Sequence, residues 1–230
     1  MALYAIADLH LSLGTNKPMD DFAGWHGYVD RLKENWCQTV SENDIVVIAG
    51  DISWGMSLKE ALADFSFLDS LPGKKLLLKG NHDYWWETRR KMDAFFQEND
   101  LSTLIIIHND CFDLGDGRAV CGTRGWFYDA EADADKKVLL REIGRLKMSV
   151  DAARAKQLEP IVFLHYPPIF AGSICDEMVQ ALKELQIKQV FYGHIHGRGA
   201  FAKAFNGSTD GISMKLISGD YLQFMPLFIG

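Results

Sequence analysis

Aspartate, histidine and asparagine recur in this sequence where short apolar runs end. Asp8-Leu9-His10 closes the first run, Gly50-Asp51 the second and Gly80-Asn81-His82-Asp83 the third. His165-Tyr166-Pro167-Pro168 follows a later run, and Gly193-His194-Ile195-His196 another. Carboxylate and amide oxygens mixed with imidazole nitrogens suit borderline divalent cations, which accept both kinds of donor. Glycine ahead of Asp51, Asn81 and His194 permits a sharp strand-to-loop turn that faces the side chain toward a shared site. Singly these clusters are weak, since Asp-x-His or His-x-His is more often a surface pair and Asn-His-Asp is a good turn. Their ordered joint occurrence, each closing an apolar strand, is hard to obtain by chance.

For the clusters to meet, the runs must be strands whose carboxyl ends share one rim, where open α/β sheets collect ligands. The patterning predicts strands at Leu3–Ala7, Ile45–Ala49, Lys75–Leu78, Leu104–Ile107, Ala119–Cys121, Ile161–Leu164, Gln189–Tyr192, Met214–Ile217 and Leu222–Phe228. Most are β-branched or leucine-rich without strict alternation, as expected where both faces are covered. Helices are expected between them. In Asp21–Val40, Phe22, Trp25, Val29, Leu32 and Trp36 recur at steps of three and four. Ser57-Leu58-Lys59-Glu60 is a capping-box pattern opening a helix that buries Leu58, Leu62, Phe65 and Leu68. Asp133–Leu158 places Leu139, Ile143, Leu146, Val150 and Ala153 on one stripe. Lys137, Arg141 and Arg145 form another, read as a solvated face. The alternation of strands and helices argues an α/β class.

The 230 residues show no repeat, linker or low-complexity tract, so one domain spanning 1–230 is expected. No apolar run approaches the roughly 18 residues that span a bilayer, so no membrane association is expected. Met1–Ala7 is apolar, but Asp8 and His10 follow at once, unlike a secretory leader. Cys37, Cys111, Cys121 and Cys175 form no CxxC pair and read as reduced, mostly buried thiols of a cytoplasmic protein. A net charge of −7 argues against long nucleic acid as a partner, although bound cations would reverse the sign locally.

The order Asp-x-His, Gly-Asp, Gly-Asn-His-Asp, His, Gly-His-x-His resembles the signature of the calcineurin-like metallophosphoesterase superfamily, from Asp8 to His196. The resemblance implies a four-layer αββα sandwich, with two mixed β-sheets flanked by helices and a dinuclear site at the carboxyl ends of strands. Mapped residue by residue, it implies Asp8, His10 and His196 on one metal and Asn81, His165 and His194 on the other. Asp51 would bridge the two. His82 is expected to face the substrate as general acid or electrostatic stabiliser of the leaving group. Asp83 would orient His82 or cap the following helix. Two divalent ions are the implied cofactors, Mn2+ first, with Fe, Zn or Mg also suiting the donors.

The chemistry follows from charge. A phosphate ester resists hydroxide because both are anionic. Two cations roughly 3.5–4 Å apart can bridge one water, lower its pKa and bind phosphoryl oxygens. The expected activity is therefore hydrolysis of a small-molecule phosphate ester by a metal-bridging hydroxide, a phosphodiester in preference to a phosphomonoester. The alternatives are a nuclease of the same mechanism and a non-catalytic metal-binding scaffold.

Gly50-Asp51-Ile52-Ser53-Trp54-Gly55 lacks the supporting Asp of the phosphoprotein phosphatases and the metal-binding Tyr of the purple acid phosphatases. The resemblance is nearer to small bacterial phosphohydrolases. Trp54, Tyr84, Trp85, Trp86, Trp126, Phe127 and Tyr128 are expected to cover the core near the rim, or else to stack on a base or aryl leaving group. Asn81 and Arg124 are candidate substrate contacts, Arg124 being otherwise an ordinary surface residue. His26, expected on a helix, and His108, at a strand end, read as structural.

Overall fold

The computed structural model describes residues 1–126 and 132–230. Phe127 and Tyr128 of the aromatic set lie outside the described residues. The first elements are β1 (Leu3–Ile6), α1 (Tyr28–Thr39), β2 (Ile45–Ala49), α2 (Leu62–Asp69), β3 (Lys74–Leu78), α3 (Arg89–Glu98) and β4 (Leu104–Ile106). There follow β5 (Phe112–Asp113), β6 (Arg118–Thr123), α4 (Asp133–Arg154), β7 (Glu159–Leu164), β8 (Ile169–Phe170) and β9 (Ser173–Ile174). The chain ends with α5 (Asp176–Glu184), β10 (Gln189–Tyr192), α6 (Arg198–Phe201), β11 (Gly207–Thr209), β12 (Ile212–Leu216) and β13 (Leu227–Phe228).

These elements form two units, Met1–Ile106 with Ile217–Gly230, and Ile107–Leu216. The first carries a five-stranded sheet in the order β13-β1-β2-β3-β4, parallel except for β13. The second carries a six-stranded sheet, β11-β12-β10-β7-β6-β5, parallel in the middle with antiparallel β11 and β5 at its edges. Both are mixed sheets flanked by helices, in agreement with the α/β expectation. Every residue of β2 is buried, which explains its unbroken apolar run. In the first unit Leu32, Trp36, Phe65, Leu68 and Phe96 from α1, α2 and α3 share a core with Ile6, Val46, Ile48 and Leu77. In the second, α4 packs on β6 and β7 and buries the predicted stripe Leu139, Ile143, Leu146, Val150 and Ala153. Lys137 and Arg141 are exposed as expected, whereas Arg145 is half-buried and bonds Glu142 Oε1 at 2.7 Å.

Several boundaries differ from the sequence reading. Helix α1 begins at Tyr28, because Gly24 and Gly27 take left-handed φ of 94° and 59°; Phe22 stands outside, 58% exposed. Helix α2 begins at Leu62 after a turn over 57–61, where Ser57 Oγ accepts from Glu60 N and Glu60 Oε2 from Met56 N. Leu58 and Leu62 are half-buried there. Of the predicted strand Leu222–Phe228 only β13 is extended, since Gln223 and Phe224 turn at φ 54° and 61°. The short strands β5, β8, β9 and β11 carry too few residues for a period. Asp210-Gly211, with φ 51° and 78°, nevertheless turns β11 into β12 as an Asp-Gly pair does in hairpins. Cys121 and Cys175 are buried, but Cys37 is exposed and Cys111 half-buried, so burial accounts for only part of the cysteine set.

Candidate metal centre

In the first unit β1, β2 and β3 lie side by side in parallel, with Ile6 opposite Ile48 and Ala49 opposite Leu78. Their carboxyl ends therefore deliver Asp8, Asp51 and Asn81 from neighbouring strands. Backbone bonds zip the emerging loops together: Asp8 N to Gly50 O (2.9 Å), His10 N to Asp51 O (2.9 Å) and Leu11 N to Ile52 O (3.0 Å). Asp8, His10 and Asp51 are 0%, 3% and 1% exposed. All three hold left-handed backbone, at φ 60°, 44° and 52°. Such conformations cost of order 1–3 kcal/mol each and persist where surrounding structure over-determines them. Glycine plays the expected turning role at Gly50 (φ 92°), but Asp51 makes the next left-handed step itself. Gly80 is needed for close approach instead: a Cβ there would fall 2.1 Å from both Asp51 N and Asp51 Oδ1.

Asp51 is the hub of this rim. Its Oδ1 accepts from His82 N at 2.7 Å; its Oδ2 meets His82 Nδ1 at 2.7 Å and His10 Nε2 at 3.6 Å. One ligand atom from each of His10, Asp51 and His82 lies within 4.8 Å of the others. Asn81 Nδ2 is 3.0 Å from His82 Nδ1. The hydrogen bond to Asp51 raises the pKa of His82 above its ordinary value, against the opposing pull of burial. Buried carboxylates at Asp8 and Asp51, with imidazoles beside them, form a donor set that a divalent cation would neutralise and fit.

Asp83 is 1% exposed and braces the loops. Its Oδ2 accepts from Asp51 N (2.9 Å) and Gly80 N (2.7 Å), and its Oδ1 from Ile52 N (2.8 Å) and Trp85 Nε1 (3.0 Å). Thr88, not Asp83, caps α3, and the ring of His82 is held by Asp51. Two further supports escaped the sequence reading. Asp64, fully buried with its pKa raised chiefly by that burial, accepts from Leu13 N and from the Ser53 hydroxyl. The Tyr28 hydroxyl donates to His10 O at 2.7 Å. A signal for Asp64 existed: it shares the apolar stripe Ala61, Phe65, Leu68 at helical spacing.

The second unit repeats the arrangement. On adjacent parallel strands Thr123 is opposite Leu164, and Leu164 opposite Tyr192, so Arg124, His165 and Gly193-His194 follow at one level. His165 N and Tyr166 N donate to Arg124 O at 3.1 and 2.9 Å, and Gly193 N to His165 O at 3.1 Å. His165 Nε2 and His194 Nδ1 are 3.3 Å apart. His165 is buried, while His194, left-handed at φ 73°, and His196 are half-buried. The Tyr166 ring lies 4.3 Å from that of His194. Paired imidazoles at this separation suit a single borderline cation.

The aromatics divide. Trp85 is 1% exposed and packs on Phe65 at 4.8 Å, a core role. Trp54 is half-buried, stacked on His10 (4.9 Å, 25°) and 4.6 Å from the His82 ring. Tyr84 is exposed. His26 stands exposed in a turn rather than on a helix, because α1 starts later than expected. His108 is half-buried, with its backbone N–H on Asp110. Arg124 is not an ordinary surface residue: it is half-buried, beside Glu142 and over the Trp126 ring.

The sequence model of the calcineurin-like phosphoesterase family matches residues 1–198, and the chain belongs to that family. Its chemistry is therefore metal-dependent hydrolysis of phosphoesters. No curated protein matches the chain. Among solved structures it is similar to the phosphopantetheinyl hydrolase PptH of Mycobacterium tuberculosis, with TM-score 0.56 and 15% identity over 99% of this chain and 95% of that one. It is similar too to AQ665 from Aquifex aeolicus, a protein of unknown function (TM-score 0.53, 13% identity, 99% and 95% covered). TT1561 of Thermus thermophilus gives TM-score 0.53 at 15% identity, with 84% and 81% covered. At such identities the likeness concerns the fold alone. Among the described residues no helix is long and apolar enough to cross a membrane.

Proposed function

We propose that the protein hydrolyses a small-molecule phosphate ester, a phosphodiester in preference to a phosphomonoester, with two divalent ions, Mn2+ before Fe, Zn or Mg. The observation that carries this reading is Asp51, a buried carboxylate within ligand distance of two imidazoles at a rim built from left-handed residues. The ligand assignment follows the order of the family motifs: Asp8, His10 and His196 for one ion, Asn81, His165 and His194 for the other, Asp51 between them. When bound, such ions activate water at neutral pH and neutralise charge on phosphoryl oxygens. The chain supplies the rest. His82, 34% exposed at its side chain, holds a proton for the departing oxygen. Asn81 and Arg124 orient the ester. Asp83 keeps the Asp51 loop in place rather than moving a proton. The family match draws on both units, which supports a single catalytic domain over 1–230. The free thiols support a reducing, cytoplasmic setting. The net charge of −7 weighs against a nuclease.

Turnover of bis-p-nitrophenyl phosphate and p-nitrophenyl phosphate tests the proposal. Activity should require Mn2+, vanish with chelator and be faster on the diester. Activity that survives chelation, or persists in Asp51→Asn, defeats it. His82→Ala should lower kcat by about 10²–10⁴-fold while retaining metal. An unchanged rate in that variant would remove His82 from the reaction, and no turnover in the wild type would favour a metal-binding scaffold.

A further inference from the structure

Whatever leaves the phosphorus departs against His82, so the side chains around that ring meet the leaving group. Asp51 holds one side of the imidazole, with Oδ2 2.7 Å from Nδ1. Trp54 packs on it at 4.6 Å, and Tyr84 stands at 6.1 Å with the planes at 76°. The two aromatics differ in what is left open. Trp54 is taken, since His10 stacks on its ring at 25° and the ammonium of Lys17 lies 4.9 Å over it. Trp85 is in the core of the first unit, and Trp86 packs against it at 5.2 Å. Tyr84 is 52% exposed, and His82 is the one aromatic contact of its ring among the described residues.

A single exposed aromatic is ordinary, but one fixed beside a reacting group is not. Tyr84 N donates to His82 O at 2.8 Å and Trp86 N to Asp83 O at 3.2 Å, which closes a tight turn. On either side Asp83 and Trp85, each 1% exposed, anchor the chain. Asp83 does so through the loop N–H groups it accepts, Trp85 through the core it fills. With its backbone held at both flanks, Tyr84 cannot follow Trp85 inward. Its ring stays in solvent next to the proton donor. An aromatic surface fixed in advance loses little freedom when a flat group settles on it.

We propose that Tyr84 is the stacking platform for the leaving group, so that the departing oxygen carries a planar aromatic ring, as in a nucleoside or aryl phosphate. This rests on the phosphoesterase reading and names the substrate class of that same site. Trp54 packs the imidazoles of His10 and His82 and takes no part in stacking.

The test is competitive inhibition of bis-p-nitrophenyl phosphate hydrolysis, in excess Mn2+, by two pairs of monoesters that differ by a ring. AMP is compared with ribose 5-phosphate, and phenyl phosphate with methyl phosphate. In the wild type the ring-bearing member of at least one pair should bind about 5- to 150-fold more tightly, the range for a base stacked on an aromatic side chain. An advantage confined to AMP assigns a nucleoside, and one shown by phenyl phosphate as well assigns any aryl ring. Tyr84→Ala should erase the advantage, and Tyr84→Phe should keep it. The ratio is taken within one protein, so a general weakening of the site cancels. Equal binding within both pairs, or an advantage that survives Tyr84→Ala, overturns the proposal. A wild type that hydrolyses nothing overturns the phosphoesterase reading instead. Calorimetric binding of the same pairs in Mn2+ then decides the Tyr84 platform separately.

Discussion

Asp83 gives both carboxylate oxygens to N–H donors from the loops after β2 and β3 and from Trp85. In Asp83→Asn an amide must confront that array, and an N–H would face another N–H. The expected loss is about 2–4 kcal/mol of stability, with about 10- to 100-fold weaker metal affinity, as for other supports of metal ligands. Urea unfolding and Mn2+ titration measure the two effects; unchanged affinity would show that the brace is dispensable to the site. The sequence placed Asp83 beside His82 but could not reveal its role, because Asp51 lies 32 residues away. The candidate ligands are legible as residue types, each following an apolar run. The left-handed backbone at Asp8, His10 and Asp51 was not, since nothing in an aspartate or histidine announces it.

At the level of elements, strand packing demands something of Gly80 that pattern alone does not show. An added methyl would strike Asp51 backbone and carboxylate, neither of which can swing aside. Gly80→Ala should therefore displace Asp51, and Mn2+ binding and turnover should both fall, while far-ultraviolet circular dichroism stays close to wild type. Normal metal content in this variant would mean that the β2 and β3 loops tolerate separation. Buried parallel strands such as β2 and β10 were read with their observed bounds, because a short continuous apolar run between turn residues is what a strand covered on both faces requires. Helix starts were read too early at α1 and α2, where the apolar spacing continued through turns set by glycine and by Ser57. Asp64 and Glu142, both carboxylates on apolar stripes, were signals of support residues that periodicity arguments treat as noise.

Across the whole molecule, buried charge couples stability to pH. Lys75 is fully buried, donates to Leu71 O and Thr103 Oγ1, and has its pKa lowered to about 8 chiefly by desolvation. The unfolded chain keeps that proton up to about 10.5, so between these values it binds more protons than the folded one. The contribution of Lys75 to stability must therefore rise with pH across that window. Urea midpoints of wild type and Lys75→Met, compared near pH 7.5 and 9.5, should differ less favourably for the wild type at the lower pH. A pH-independent difference would show that the ammonium is solvated in the folded state. Cysteine ionisation, common to both proteins, cancels in the comparison.

The strained corners at Asp8, His10, Asp51 and His194 also bear on how the fold endures. Residues forced into unfavourable dihedrals relax unless something fastens them, and ions gripped by their side chains would be that fastening. Cations here would then serve as rivets as well as reagents. Melting temperature should climb with added Mn2+, by the equivalent of about 2.7 kcal/mol at a hundredfold excess over Kd, and drop when the ion is stripped. A melting curve indifferent to Mn2+ would mean that the corners are held by the polypeptide alone.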